Sequence, residues 1–600
     1  MATGDGIFPY SNVRSGQKQF MEDAARAFKE GRVLLAHAPT GIGKTVAALT
    51  AAVENAGDRK IFFLTSKQSQ HRMAIETLRD IRKDVSGVDV ISKQHMCPLE
   101  ESSTLPYAAF EKFCNQVGRS RCGTYGPRME SLAEELRKHP LHVEELVREC
   151  VNNNLCPHKT ALEAAKDTQV LVCDYNYIFS DIRDTVLKNT DTSLDDIYLV
   201  VDEAHNLPDR IRSHLNEKIS LPVLGEAFSL LEGVNGEMAG VVKRLGSELG
   251  KVQEDTKIVD KSFFDDMMDK ALRGGFGRYE DVEDLMGDLS ETAVEIMVKD
   301  PAATAPLHLV SFLVRWNMEG KEVFRCFEPD PPSVRVSLLD PAYLCRDVFK
   351  EIPGGVLMSG TLHPGEMYGD LLGIEDPVIR AYESPFPREN RRVVSVKNLS
   401  TSYKDRGVSM YQAYANAIAD VCNSTPGNVA CFFPSYLLMN KITDRLERVH
   451  CKKRIMMEEK RLGKKGKEMM VDNLRRNNDQ LLLGVQGGSL SEGVDYRDNI
   501  LSSVIVVGIP FPPPSLELNA LQDYYTAKFG KQKGYEYVSI YPAMNRVLQA
   551  AGRSIRSKDD RALIVLMDKR FNYPGYKKCL PDEFQFTPTE DLSAACKDFF

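Results

Sequence analysis

The chain has no apolar run near the roughly 20 residues that a membrane-spanning helix needs. Its first ten residues, MATGDGIFPY, have neither the basic start nor the apolar stretch of a secretory signal. The expectation is therefore a cytoplasmic protein. A basic surplus is also missing: 77 Lys and Arg against 85 Asp and Glu leave a net charge of -8. An even set of cysteines is missing too. Thirteen in 600 residues do not make a disulfide scaffold, and an odd count in a reducing compartment turns attention to metal. Nor does the segment from Cys97 to Cys156 contain a C-x-x-C pair, which zinc sites usually have.

Six hundred residues exceed what one core organises, so about two to four domains are expected. The acidic balance is local. Residues 216–300 hold 19 Asp and Glu against 10 Lys and Arg, so the rest of the chain sums to +1 and can present a basic groove.

The stretch HAPTGIGKTVAAL (His37 to Leu49) follows the apolar run RVLLA and has the form of a strand, a glycine-rich loop and an Ala-rich helix ending near Gly57. Such a loop turns backbone N–H groups at a helix N-terminus toward phosphate. Thr40, Gly41 and Gly43 shape it, Lys44 reaches the outer phosphates, and the Thr45 hydroxyl ligates Mg²⁺. Ala38 stands where the commonest pattern has Gly. The anion is read as the triphosphate of ATP.

A second apolar run, IYLVV, delivers Asp202 and Glu203 at its C-terminal end, where open α/β sheets bind ligands. Asp202 is expected to hold Mg²⁺, and Glu203 to position and deprotonate the attacking water. With its phosphate loop and Asp-Glu-Ala-His, the chain resembles a superfamily 2 helicase. Later segments agree in order: LMSGTL (Leu357 to Leu362), GNVACFFPSY (Gly427 to Tyr436) as the first strand of a second motor domain, and GGSLSEGVDY with Asp495. QAAGRSIRS resembles the motif that carries arginine fingers. Helical spacing would set Gln549, Arg553 and Arg556 on one face, and Arg suits phosphate because its planar fork stays charged. FPYSNVRSGQKQF resembles the adenine-side motif, with Phe8, Arg14 and Gln17 stacking on and hydrogen-bonding the base.

Two intervals are too long for bare connections: 157 residues separate Lys44 from Asp202 and 153 separate His205 from Ser359. The first holds Cys97, Cys114, Cys122, Cys150 and Cys156. The spacings of 16, 7 and 33 residues between Cys97, Cys114, Cys122 and Cys156 resemble the [4Fe-4S] ligands of the XPD family of iron-sulfur DNA helicases. Zinc and unliganded core cysteines remain the alternatives, and Cys150, on the helical stretch HVEELVREC, reads as a packed side chain. The resemblance runs from Phe8 to about Arg570. It implies two RecA-like α/β motor domains with a cysteine-rich iron-sulfur insertion and a mainly helical arch. The boundaries expected are motor domain 1 at 1–94, 161–210 and 341–395, the cluster domain at 95–160, the arch at 211–340 and motor domain 2 at 396–600.

For the nucleic-acid strand, Lys112, Arg119, Arg121 and Arg128 form a basic segment, and Tyr175 and Tyr177 offer stacking rings or buried packing. The basic run from Cys451 to Lys467 reads as a solvated face. The activity implied by the resemblance is ATP-dependent 5′ to 3′ translocation on single-stranded DNA with duplex unwinding, in DNA repair. Single strands, duplex junctions and repair proteins are the expected partners of a monomer. An RNA or duplex translocase on the same motor, or a nucleotide-gated scaffold with weak ATPase, are the rival readings.

Overall fold

The computed structural model describes residues 7–81, 85–103, 105, 110, 113–114, 127–275, 279–300, 302–492, 494 and 496–600. The first lobe starts with β1 (Val33–His37), β2 (Lys60–Leu64), β3 (Gly87–Asp89), β4 (Val170–Cys173) and β5 (Ile197–Asp202). These strands are short, apolar and buried along nearly their whole length, as parallel strands covered on both faces must be. An inserted unit follows with β6 (Glu217–Ser220), β7 (Lys257–Ile258), β8 (Val323–Pro329) and β9 (Pro332–Leu338), and the chain then returns to the first lobe as β10 (Gly355–Ser359) and β11 (Val378–Ala381). The sheet order is β11-β1-β10-β5-β2-β4-β3, all parallel.

That order positions the site. Strands β1, β10 and β5 are neighbours, in a register that pairs His37 with Ser359 and Met358 with Asp202. Three strand ends, far apart in sequence, therefore open onto one crevice at the C-terminal edge of the sheet.

The second lobe contains β12 (Arg391–Val396), β13 (Val429–Phe433), β14 (Arg454–Met457), β15 (Gln480–Val485), β16 (Ser503–Val507), β17 (Ala562–Met567) and β18 (Thr587–Thr589), in the order β14-β15-β13-β16-β17-β12-β18, again parallel. Two expectations are corrected here. The first strand of this lobe is β12, not the Val429–Phe433 strand. The change of lobe falls between Ala381 and Arg391, ahead of residue 396, because β12 bonds to β17 and β18 rather than to the first sheet.

The inserted unit is less purely helical than expected. Helices surround an antiparallel sheet in the order β6-β9-β8-β7, and its core gathers Phe264, Phe312 and Trp316. Trp316 keeps its indole N–H satisfied by donating to Asp265 at 2.9 Å. At its base, Asp340 accepts from Lys528 at 2.7 Å and Tyr524 at 2.8 Å, both on the Leu516–Phe529 helix of the second lobe. Among the described residues no helix is long and apolar enough to cross a membrane.

Candidate active site

The phosphate loop leaves β1 and enters the helix Lys44–Asn55. Gly41 at φ 90° and Gly43 at φ 84° are both left-handed, a backbone that side-chain-bearing residues rarely adopt. At Gly41 contact adds to this, since a methyl there would collide with the Phe386 ring; at Gly43 it would meet only the Gln17 amide, the end of a flexible side chain. No side chain caps the helix at Gly43, so its first N–H groups stay directed at the cleft.

The segment before the first helix clamps this loop. Arg14 Nη1 donates to the Gly41 carbonyl and Gln17 Nε2 to the Gly43 carbonyl at 3.3 Å, while Gln17 Oε1 accepts from the Arg14 N–H at 3.0 Å. A cleft of about 980 Å³ is lined by Tyr10, Arg14, Gln17, Lys44, Thr45 and Asp202, among others. Phe8 does not line it; its ring packs edge-on against Tyr10 at 5.8 Å, and Tyr10 is the ring at the wall.

Asp202 ends β5 and is buried. Burial raises its carboxyl to about 6 against the pull of Lys44. Burial works in the same direction on Glu203, but the His205 hydrogen bond and the charge of Lys44 outweigh it and hold Glu203 well below the usual range. Glu203 sits at φ 49°, a left-handed backbone that a β-carbon disfavours. Its side chain is fixed from both sides: Gln70 Nε2 donates to Oε1 at 3.1 Å and Ser359 Oγ to Oε2 at 3.2 Å.

His205 joins this network to the second lobe. Gln549 Nε2 lies 2.8 Å from His205 Nε2, and His205 Nδ1 lies 2.6 Å from Ser359 Oγ. With the amide donating, Nε2 accepts and Nδ1 carries the proton toward Ser359. The order Gln549, His205, Ser359, Glu203 is a continuous hydrogen-bonded chain from one lobe to the Glu203 carboxylate of the other.

The shared helical face expected for Gln549, Arg553 and Arg556 is not what forms. The helix Tyr541–Ala551 stops at Gly552, so Gln549 is helical and both arginines lie on the loop that follows. They line one interlobe space but bond to different partners. Arg556 Nη1 donates to Thr40 Oγ1 of the phosphate loop at 3.3 Å across the cleft. Arg553 is tied to its own lobe, through Val494 O at 3.1 Å and Gln549 O at 3.1 Å, and burial together with Arg556 lowers it to about 10.

Sequence reading missed Gln70, Phe386 and Glu458, none of which stands in a recognisable motif. Glu458 is buried and shapes the Gly487 to Ser491 turn by accepting from Val485 N at 3.0 Å and Ser489 Oγ at 2.8 Å. Asp495, Cys122, Lys112, Arg119 and Arg121 lie outside the described residues. Arg128 is exposed. Of the two readings open for Tyr175 and Tyr177, stacking or packing, the structure shows packing: both are buried, Tyr175 donating to Asp202 O at 2.6 Å and Tyr177 to Ile91 O at 3.0 Å. Tyr175 thus supports the turn that aims Asp202 and Glu203.

Cys97, Cys114 and Cys156 are half-buried free thiols, whereas Cys150 is fully packed in the core. Burial pushes Cys156 up, opposed by the N–H groups of Lys159 and His158 that point at its sulfur from the start of the next helix. Cys114 is near enough for its charge to be felt there. Among the described residues, no three His, Cys, Asp or Glu side chains converge as a metal-binding group.

Two family models match the chain, DEAD_2 over residues 63–224 and the helicase C-terminal domain over 418–587. The ATP-dependent DNA helicase XPD of Sulfolobus acidocaldarius is 24% identical over 95% of this chain and 98% of its own length. The general transcription and DNA repair factor IIH helicase subunit XPD/RAD3 of Saccharomyces cerevisiae is 21% identical over 94% of this chain and 87% of its own. A solved XPD helicase covers 97% of this chain and 100% of its own length, with a TM-score of 0.68 at 21% identity, and so shares its fold. The chain thus carries XPD-like DEAD_2 and helicase C-terminal domains, one matched on each lobe, and is similar over nearly its full length to XPD helicases.

Proposed function

We propose that the protein is an ATP-dependent DNA helicase that moves 5′ to 3′ on single-stranded DNA and separates duplexes in DNA repair. The observation that carries the reading is the bridged cleft, in which Arg556 reaches Thr40 and Gln549 reaches His205 from the opposite lobe. A triphosphate held by the loop amides and Lys44 would meet Arg556 only when the lobes are together, so hydrolysis and lobe movement are coupled. Glu203, ionised and aimed by Gln70 and Ser359, accepts the proton of the attacking water.

Thr45 and Asp202 line the same cavity and suit Mg²⁺, a hard cation that prefers oxygen ligands and would neutralise charge on the phosphates. Cys97, Cys114, Cys122 and Cys156 are proposed to hold a [4Fe-4S] cluster. The N–H groups directed at the Cys156 sulfur support this, since such bonds stabilise a ligating thiolate. Asp495 is proposed at the nucleotide cleft, and a cytoplasmic monomer with repair partners completes the reading.

The test measures ATPase activity with and without single-stranded DNA, then strand displacement on duplexes carrying a 5′ or a 3′ tail. Stimulation by DNA and unwinding from the 5′ tail are expected. Unwinding of RNA alone would favour an RNA translocase, and absence of nucleotide turnover with DNA present would overturn the proposal.

A further inference from the structure

Three cavities meet around the phosphate loop. The nucleotide cleft shares Thr40, Lys44, Glu203 and Arg556 with an interlobe space of about 270 Å³. That space shares Ser384, Phe386, Arg391 and Glu583 with a further cavity of about 860 Å³ behind the loop, at the hinge between the lobes. The nucleotide site uses only the first of these.

The hinge cavity has the chemistry of an anion path. Arg391 stands at its neck, donating to Ser384 Oγ at 3.3 Å and lying 3.8 Å from Glu583, while Arg388, Lys577 and Lys578 line its wall beside Glu383 and Asp582. His37, the last residue of β1, is only 4% exposed, and neither of its ring nitrogens has a hydrogen-bond partner. A buried polar group without a partner is destabilising. Burial and the adjacent His363 lower this imidazole to about 3, so it is neutral and offers one donor and one acceptor. Glu583 Oε2, a second buried atom without a partner, faces the same neck.

Phe386 lies between the two spaces. It belongs to the strap joining β11 to β12, lines both cavities, and packs on Gly41 so closely that no side chain fits there. Both ends of the strap are anchored, at Tyr382 N to His37 O (2.9 Å) in one lobe and Asn390 Nδ2 to Lys558 O (2.7 Å) in the other. Rotation of the lobes must therefore move the strap and its phenyl ring.

From this geometry we infer that inorganic phosphate formed at Lys44 and Glu203 leaves through the hinge cavity, with Phe386 as the gate and His37 and Arg391 as the groups it passes. The inference rests on the hydrolase reading above. While the diphosphate still fills the nucleotide cleft, the cleaved phosphate lies at its inner end, where the interlobe space begins. Four basic residues, Arg388, Arg391, Lys577 and Lys578, against three carboxylates, Glu383, Asp582 and Glu583, leave the lining able to take an anion, and the ring moves as the lobes part.

Single turnovers of the full-length protein with MgATP and single-stranded DNA test the route, with phosphate formation read by rapid quenching and free phosphate by a fluorescent sensor. Ala381→Trp puts bulk at an exposed residue that lines the hinge cavity, outside the nucleotide cleft. It is expected to keep the rate of formation within about twofold and to delay release about tenfold. Phe386→Ala is expected to shorten the interval between formation and release. Lys577→Glu, also exposed, should lengthen it and serves as the second blocking variant. Free phosphate appearing at the wild-type interval in all three variants would overturn the route and assign release to the nucleotide mouth. A wild-type chain that forms no phosphate would overturn the route and the hydrolase reading together.

Discussion

Gln549 Nε2 and His205 Nε2 lie 2.8 Å apart, and this one hydrogen bond joins the Asp-Glu-Ala-His turn of the first lobe to the end of a helix in the second. It exists only when the lobes are apposed. Gln549→Ala removes about 1 kcal/mol from the closed arrangement, and a factor of about 5 or more in DNA-stimulated kcat is expected. The KM for ATP should move less, because Gln549 does not line the cleft that holds the nucleotide. A steady-state comparison with and without DNA checks this.

Glu203→Gln keeps the shape of the site and removes the carboxylate proposed as the base. The expected loss is about 10² to 10⁴ in kcat, with ATP binding retained. Equilibrium binding of a fluorescent ATP analogue beside the turnover rate would expose a role in nucleotide binding instead.

The two arginines should separate. Arg556→Ala is expected to lower turnover by about 10³ to 10⁵, the range of an arginine finger, since its guanidinium reaches Thr40. Arg553→Ala breaks bonds to Val494 O and Gln549 O within its own lobe, so its larger effect should be on melting temperature. Equal kinetic losses without a change in melting would contradict this division.

The proposed cluster is tested through its ligands. Cys156→Ser should abolish the visible absorbance of anaerobically purified protein, whereas Cys150→Ser, in a packed core position, should keep it. Identical spectra from the two variants would refute the ligand assignment.

Asp89 and His71 predict a pH dependence of stability. Burial opposes charging of His71, but its 2.6 Å bond to Asp89 and that carboxylate's charge prevail and raise it above its ordinary value. A raised folded-state pKa means the contribution is complete below about pH 6.5 and is lost as pH climbs through the higher folded value. Asp89 also accepts from Val143 N at 2.9 Å, at the start of a helix in the cysteine-bearing insertion. The melting temperature should therefore fall across that window. Asp89→Asn should flatten the fall and lower stability by about 3 to 5 kcal/mol.

Several parts of this site were legible in the residues. The phosphate loop declares itself because left-handed glycines before Lys-Thr have few other uses, and β5 does so because a parallel strand is apolar throughout and ends at its ligand. Where sequence reading failed, the missing information was non-local. Helical periodicity could be extended from Gln549 to Arg556, but Gly552 ended the helix and put both arginines on a loop. The strand Arg391–Val396 looks like any buried strand, and only its bonds to β17 and β18 assign it to the second lobe. For Tyr175 and Tyr177 the residues left stacking and packing both open, and only the bonds of their hydroxyls to backbone carbonyls decide for packing.

The sequence by itself determined the chemistry of this protein: an anion-binding turn, an acidic strand end, a set of thiols and the order in which they occur. Tertiary structure alone decided which of these groups meet. Ser359 comes to Glu203 because β10 lies between β1 and β5, and Arg556 comes to Thr40 because the loop after the Tyr541–Ala551 helix of the second lobe meets the phosphate loop of the first. Contacts across 156 and 516 residues of chain leave no local pattern, since they arise from sheet order and lobe placement rather than from the period of any one helix or strand.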